Sequence, residues 1–208
     1  MKVAAIIPAF NEEKTVASVV AVVKRVDLID DVVVVSDGST DRTAAAAREA
    51  GARVIELVKN LGKGGAMQAG VKATSADAIL FLDADLVGLT EEHIRALIEP
   101  VLAGDADMVV GVFGKGRVAT DLAQKISPWL SGQRAVRRDL LESLDLDIAH
   151  FGVEVALTRH MSRSGAKVRT VTLEGLTHLM KEEKMGFGRG FLARLKMYWE
   201  IVRQVRPR

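Results

Sequence analysis

Short runs of β-branched residues alternate with alanine-rich stretches of helical length, and that alternation leaves the chain few architectures to adopt. The strands are read at Val3–Ile7, Val32–Val35, Arg53–Leu57, Ala78–Leu82, Met108–Val112, Ala135–Arg137 and Lys167–Leu173. The helices are read at Glu13–Arg25, Arg42–Ala50, Gly64–Lys72, Glu91–Leu102, Val153–Ser162 and Phe191–Val205. The earlier strands are apolar without a break rather than at every second residue, as strands covered on both faces must be. Such strands separated by helices predict an α/β fold, a mostly parallel sheet with helices on both faces. With 208 residues, no internal repeat and no dividing linker, the whole chain reads as one domain. Gly114, Gly116 and Pro128 mark a loose connection between its halves.

Composition removes several kinds of chemistry. The absence of cysteine excludes disulfides, thiolate metal sites, iron–sulfur clusters and cysteine nucleophiles. No apolar run approaches the ~18 residues that span a bilayer. Met1 and Lys2 lead straight into the first strand, too short for a signal peptide, so a cytoplasmic location is expected. The net charge is only +2, yet residues 181–208 hold eight Lys or Arg against three Glu. Aromatic residues form 4% of the chain, which argues against a nucleic-acid face built on interleaved aromatics. The basic excess belongs to the tail.

In an open parallel sheet, ligands bind beyond the carboxyl ends of the strands. Those positions carry Asn11-Glu12-Glu13, Ser36-Asp37-Gly38-Ser39-Thr40-Asp41 and Asp83-Ala84-Asp85, so three carboxylate clusters meet at one edge. Gly62-Lys63-Gly64-Gly65 is not a P-loop, because Leu57 and Gly64 stand where that motif needs glycine and a hydroxyl residue. Nor is it a dinucleotide fingerprint, since Met67 replaces the third glycine. Two carboxylates spaced as Asp83 and Asp85 repel strongly in a partly dry cleft unless a divalent cation shares them. A hard cation held there stabilises a diphosphate leaving group. The competing structural reading makes one of the two aspartates the cap of the helix that starts near Thr90.

Ile7-Pro8-Ala9-Phe10-Asn11-Glu12-Glu13, Ser36–Asp41, Gly62-Lys63-Gly64 and Asp83-Ala84-Asp85, in this order, resemble the signature of family 2 nucleotide-sugar glycosyltransferases. That family has the GT-A fold, a single Rossmann-like α/β domain. The resemblance implies a nucleotide-sugar half over 1–112, an acceptor-side half over 113–185 and a basic amphipathic helix within 186–208. Phe151-Gly152-Val153-Glu154 followed by His178 is also similar to glucosyl-3-phosphoglycerate synthases, while the earlier motifs equally suit polyprenyl-phosphate sugar transferases.

Carried onto this chain, the resemblance implies Mg2+ or Mn2+ as cofactor and a donor linked to UDP rather than GDP. The nucleotide sugar would meet Pro8, Ala9, Glu12, Asp37, Ser39, Lys63, Asp83 and Ala84. Glu12 would bond the ribose, Asp37 or Ser39 the base, and Lys63 the base or the diphosphate. Asp85 would ligate the metal directly, Asp83 the ribose or a metal-bound water, and His178 would complete the shell. Gly132, Gln133 and Arg134 would face the sugar or the acceptor. Glu154 would act as base in an inverting transfer or position the sugar in a retaining one; its structural reading is a carboxylate serving a helix N-terminus. His178 has a plain surface-loop reading beside its metal one. His93 and His160 take no role, the second being read on an exposed turn.

The acceptor implied is a small phosphorylated molecule or a lipid phosphate, and a homodimer is left open. Phe191, Leu195, Tyr198, Trp199, Val202 and Val205 recur at helical spacing, so the last helix either packs on the domain or lies on an anionic membrane. In the second case the protein would sit peripherally at the inner membrane face. Two other functions stay open, a sugar nucleotidyltransferase and a non-catalytic nucleotide-sugar binding module. The nucleotidyltransferase needs a glycine-rich basic loop where Asn11-Glu12-Glu13 stands.

Overall fold

The computed structural model describes residues 1–114, 131–141 and 153–178. The chain runs through β1 (Val3–Ala9), α1 (Val16–Val23), β2 (Asp31–Asp37), α2 (Thr43–Glu49), β3 (Arg53–Leu57) and α3 (Gly62–Lys72). It continues through β4 (Ala78–Phe81), β5 (Leu86–Val87), α4 (Glu91–Leu102), β6 (Met108–Phe113) and β7 (Arg134–Arg137). A single 3-10 turn at Arg138–Leu140 precedes α5 (Val153–Ser164), β8 (Val168–Leu173) and β9 (Thr177–His178). Contacts divide the chain into Met1–Thr177 and His178–Arg208, and His178 is the one described residue of the second unit. The expected tail helix, its glycines 186, 188 and 190, and Phe151-Gly152 lie outside the described residues, as does the connection from 115 to 130.

Seven strands form one sheet in the order β3-β2-β1-β4-β7-β6-β8. The central strand β1 lies parallel to both neighbours, with Ile6 opposite Val33 of β2 and Phe81 of β4. Its unbroken apolar run is explained by the two layers it serves. Val3, Ala5 and Ile7 pack with Val16, Val19 and Val20 of α1 and with Ile94 and Leu97 of α4. Ala4 and Ile6 pack on the opposite side with Ala66 and Met67 of α3 and with Val153 and Leu157 of α5. Each fully buried Val, Leu or Ile contributes about 1.5–3 kcal/mol before entropy is charged against it.

Strand β7 runs antiparallel between β4 and β6, so the mostly parallel sheet carries one reversed strand. Arg134 at its start is therefore opposite Phe81 at the end of β4. This reversal delivers Ser131, Gly132 and Gln133 to the edge where the parallel strands end. Leu86–Val87 and the strand beginning at Thr177 form a separate two-stranded sheet. Among the described residues no helix is long and apolar enough to cross a membrane.

Three local expectations are corrected. The first helix starts at Val16 rather than Glu13, because Glu12 and Glu13 are drawn into loop contacts described below. α3 starts at Gly62 rather than Gly64, with Gly62 at a positive φ of 80°. His160 is half-buried within α5, not on an exposed turn.

Candidate active site at the carboxyl edge of the sheet

The loop after β1 and the loop after β2 are laced together through their polar side chains. Asn11 N–H donates to Ser39 Oγ at 3.2 Å, and Thr40 N–H donates to Asn11 Oδ1 at 2.9 Å. Glu12 N–H donates to Thr43 Oγ1 at 2.7 Å, Glu13 N–H to Asp41 Oδ2 at 3.2 Å, and Arg42 N–H to Glu13 Oε2 at 3.0 Å. Asn11 adopts φ 55°, a left-handed conformation that asparagine tolerates better than most residues. Burial works against the Asp41 carboxylate, but hydrogen bonds from Thr43 and Glu13 outweigh it and hold its pKa below the usual range. This lacing fixes the backbone of half-buried Glu12, the expected ribose ligand. Pro8 is half-buried and Ala9 buried beneath the same loop.

Asp37 and Ser39 are engaged within these loops. Asp37 is 4% exposed and accepts Leu61 N–H at 2.7 Å; burial raises its pKa, while the Leu61 and Gly62 amides oppose that rise. Asn60 Nδ2 donates to Asp37 O at 3.0 Å. Gly38, at φ 67°, lets the two loops touch: a Cβ there would stand 2.7 Å from Asn60 N. Asp37 thereby anchors the start of α3, which carries Lys63.

Lys63 is the hub of the site. Its Nζ lies 2.5 Å from Asp83 Oδ1 and 2.6 Å from Glu154 Oε1, joining the end of β4 to the first turn of α5. Burial works against the ammonium, but Asp83 and Glu154 outweigh it and raise its pKa above the usual lysine range. Gln133 Nε2 donates to the other Asp83 oxygen, Oδ2, at 2.8 Å. Asp83 is thus gripped on both oxygens by donors from α3 and from the segment before β7.

Arg134 lies behind this pair, 1% exposed. Its Nε donates to Ser131 O at 2.7 Å and its Nη1 to Thr158 Oγ1 at 2.6 Å. Thr158 Oγ1 in turn donates to Glu154 O at 2.9 Å. Burial pushes the guanidinium pKa down to about 10, with the Glu154 and Asp83 charges opposing the fall. The resemblance implied a ligand-facing role for Gln133 and Arg134; their described partners are internal, and both side chains are buried.

Asp85 is half-buried, and its carboxylate lies within 4.8 Å of that of Asp83. Ala84 between them is buried, and the two aspartates stand in the turn that joins β4 to β5. Neither caps α4. Thr90 does, accepting His93 N–H at 3.3 Å, while His93 Nδ1 accepts Thr90 N–H. The unassigned His93 is a capping residue, and the capping reading of Asp83-Ala84-Asp85 falls away. His178 is half-buried in β9.

Gly132 has no room for a side chain. A Cβ there would lie 2.4 Å from Asp83 Oδ2 and 2.6 Å from Lys63 Nζ. We expect Gly132→Ala to push the Lys63 ammonium and the Asp83 carboxylate apart and to lower the melting temperature by roughly 3 to 12 °C, one hydrogen-bonded charge pair being worth about 1.5–3 kcal/mol. Differential scanning calorimetry of both proteins checks this; an unchanged melting temperature would show that the pair relaxes without consequence.

The sequence model of glycosyl transferase family 2 matches residues 4–159. The chain belongs to glycosyl transferase family 2. It is 32% identical to glucosyl-3-phosphoglycerate synthase of Mycobacterium tuberculosis over an alignment 192 residues long that covers 74% of this chain and 59% of that relative. It is 40% identical to 4,4'-diaponeurosporenoate glycosyltransferase of Staphylococcus aureus over 98 residues, 45% of this chain and 26% of the other. The crystal structure of the M. tuberculosis synthase with Mn2+, UDP and glucosyl-3-phosphoglycerate superposes with a TM-score of 0.71 at 32% identity, covering 86% of this chain and 72% of that one. The same synthase with Mg2+ and UDP gives a TM-score of 0.71 at 31% identity, covering 86% and 71%. The GT-A fold expected from the motifs is the fold observed. This family 2 chain spans about three-fifths of the length of the curated synthases it matches.

Proposed function

We propose that this chain transfers glucose from UDP-glucose to a hydroxyl of a small phosphorylated acceptor, with Mn2+ or Mg2+ as cofactor. The observation that carries the reading is the Lys63 ammonium held between Asp83 and Glu154, beside Asp85, where the strands end. It is supported by solved relatives described with Mn2+, UDP-glucose and phosphoglyceric acid or glycerol 3-phosphate.

Asp83 and Asp85 are the side chains that would hold the cation. Carboxylate oxygens suit Mn2+ and Mg2+, and with both oxygens of Asp83 already bonded to Lys63 and Gln133, Asp85 is the more direct ligand. Bound there, the metal would offset the charge that develops on the departing diphosphate. Glu12 accepts from the ribose hydroxyls, and Asp37 and Ser39 serve the nucleoside by fixing the loops around it. Lys63 supplies a compact cation for the diphosphate.

The Glu154 carboxylate faces the Lys63 ammonium at 2.6 Å at the head of α5, on the side where the strands end. We assign it to orient the sugar by accepting a hydroxyl hydrogen bond. Gln in its place keeps the shape but loses the charge, so turnover should fall roughly a hundredfold while UDP affinity stays within about twofold. Unchanged turnover would return Glu154 to service of the α5 N-terminus.

The test of the function is incubation with UDP-glucose, Mn2+ and either 3-phosphoglycerate or glycerol 3-phosphate, with mass spectrometry for a product one hexose heavier. The anomeric coupling constant of that product distinguishes retention from inversion. Binding of UDP-glucose with no turnover on any acceptor would favour the binding-module alternative. The eight basic residues of 181–208 support a second acceptor class, a lipid phosphate at an anionic membrane. Cosedimentation with anionic vesicles at low salt, lost on truncation at Gly186, would favour that class and a peripheral location; no cosedimentation favours the soluble acceptor.

A further inference from the structure

Lys63 occupies the position of a counter-ion between two carboxylates, and one of them, Asp83, belongs to the group that would hold the metal. Only one of its oxygens is in dispute. Asp83 Oδ2 is held by Gln133 Nε2 at 2.8 Å, a neutral donor within a fully buried side chain. Asp83 Oδ1 is held by Lys63 Nζ at 2.5 Å. A second cation arriving beside Asp83 and Asp85 would stand within a few ångströms of the ammonium, and like charges at such separation in a partly buried site repel strongly. Lys63 is the mobile member, a point charge on a flexible stem, whereas Gln133 is packed and Gly132 leaves no slack beneath the pair.

We propose that Lys63 is an exchangeable latch that keeps the metal site closed until a nucleoside diphosphate is present. Resting on the reading above, the diphosphate draws the ammonium away from Asp83 Oδ1, and that oxygen becomes available to the cation. Nucleotide and metal then bind with positive coupling, because each relieves the charge conflict the other would meet alone. Glu154, the second partner of Lys63, is released from its ion pair in the same step and gains the freedom to meet the sugar. The latch thus ties the orientation of Glu154 to the presence of donor.

The experiment is Mn2+ binding followed by electron paramagnetic resonance on the full chain, with and without saturating UDP. The wild-type protein should bind Mn2+ weakly alone and at least about tenfold more tightly with UDP. Lys63→Met, which keeps the stem and removes the charge, should bind Mn2+ alone at least about fivefold more tightly than wild type; Lys63→Arg, which keeps a cation, should not. Equal or weaker Mn2+ binding by folded Lys63→Met overturns the latch. A measurement on the unaltered chain stands beside it: in crystals holding Mn2+ and UDP, Lys63 Nζ should lie beyond the ~4 Å ion-pair limit from Asp83 Oδ1. An intact pair with metal bound overturns the latch while leaving the functional reading standing. Absence of Mn2+ from the wild-type protein even with UDP overturns both.

Discussion

Replacing Asp85 by alanine is expected to lower glucosyl transfer by roughly a hundred- to thousandfold, the range for losing one preorganised group that stabilises developing charge. UDP should then bind with the same affinity in Mn2+ and in chelator, whereas the wild-type protein should bind it far more tightly with metal. The substitution leaves the cap of α4 intact: after β5, the start of that helix is secured by Thr90 and His93 rather than by Asp85. Asp83, by contrast, is tied to Lys63 and Gln133, so its removal would mix binding with structure. Titration calorimetry of UDP in Mn2+ and in EDTA, with a UDP-release assay on the same samples, separates the terms. Metal-dependent UDP binding that survives in Asp85→Ala would place the cation on other residues and undo the assignment of Asp83-Ala84-Asp85.

The elements legible in the sequence were those whose residues face apolar layers on both sides. β1 is the example: consecutive residues of Val3–Ile7 go to opposite cores, so the run itself announces a central strand. β7 was only half legible. Four residues with an arginine at each end give no sign that the strand is antiparallel or that Arg134 is the buried one. Its neighbour Arg137 is exposed and pairs with Asp107 and Asp139, as a solvated arginine should. The next residue, Arg138, donates to Val71 O and Thr74 O at 3.1 and 2.6 Å and ties down the end of α3.

The candidate site shows the same division. Motif order located Glu12, Lys63, Asp83 and Asp85 because each follows a strand, and topology carries strand ends to one edge. It could not show that Asn11 and Thr40, or Glu12 and Thr43, bond across 29 and 31 residues, since nothing in either loop encodes its partner. Thr158 had one faint signal, its place four residues after Glu154 on a helix, where a hydroxyl can return a bond to the carbonyl one turn back. The ion pairs of Lys63 had none.

Arg134→Met carries the largest expected effect on stability. Two terms oppose each other. A buried guanidinium is costly, as its pKa of about 10 records, and methionine removes that cost while filling similar volume. Against this, the substitution removes the hydrogen bonds from Arg134 to Ser131 O and Thr158 Oγ1, and it takes one cation from a cluster of Lys63, Arg134, Asp83 and Glu154. Breaking a buried charge cluster on one side commonly costs about 3–5 kcal/mol, because the remaining charge stays buried without compensation. Asp83 and Glu154 are only 17% and 14% exposed, so water restores little of what is lost. The second term should win, giving a fall in melting temperature of roughly 6 to 20 °C for a chain of this size. Differential scanning calorimetry at neutral pH measures it directly. A melting temperature that stays level or rises would mean that the cost of burying Arg134 exceeds everything its charge returns, and that the cluster is held for the chemistry at Lys63 and Glu154 alone.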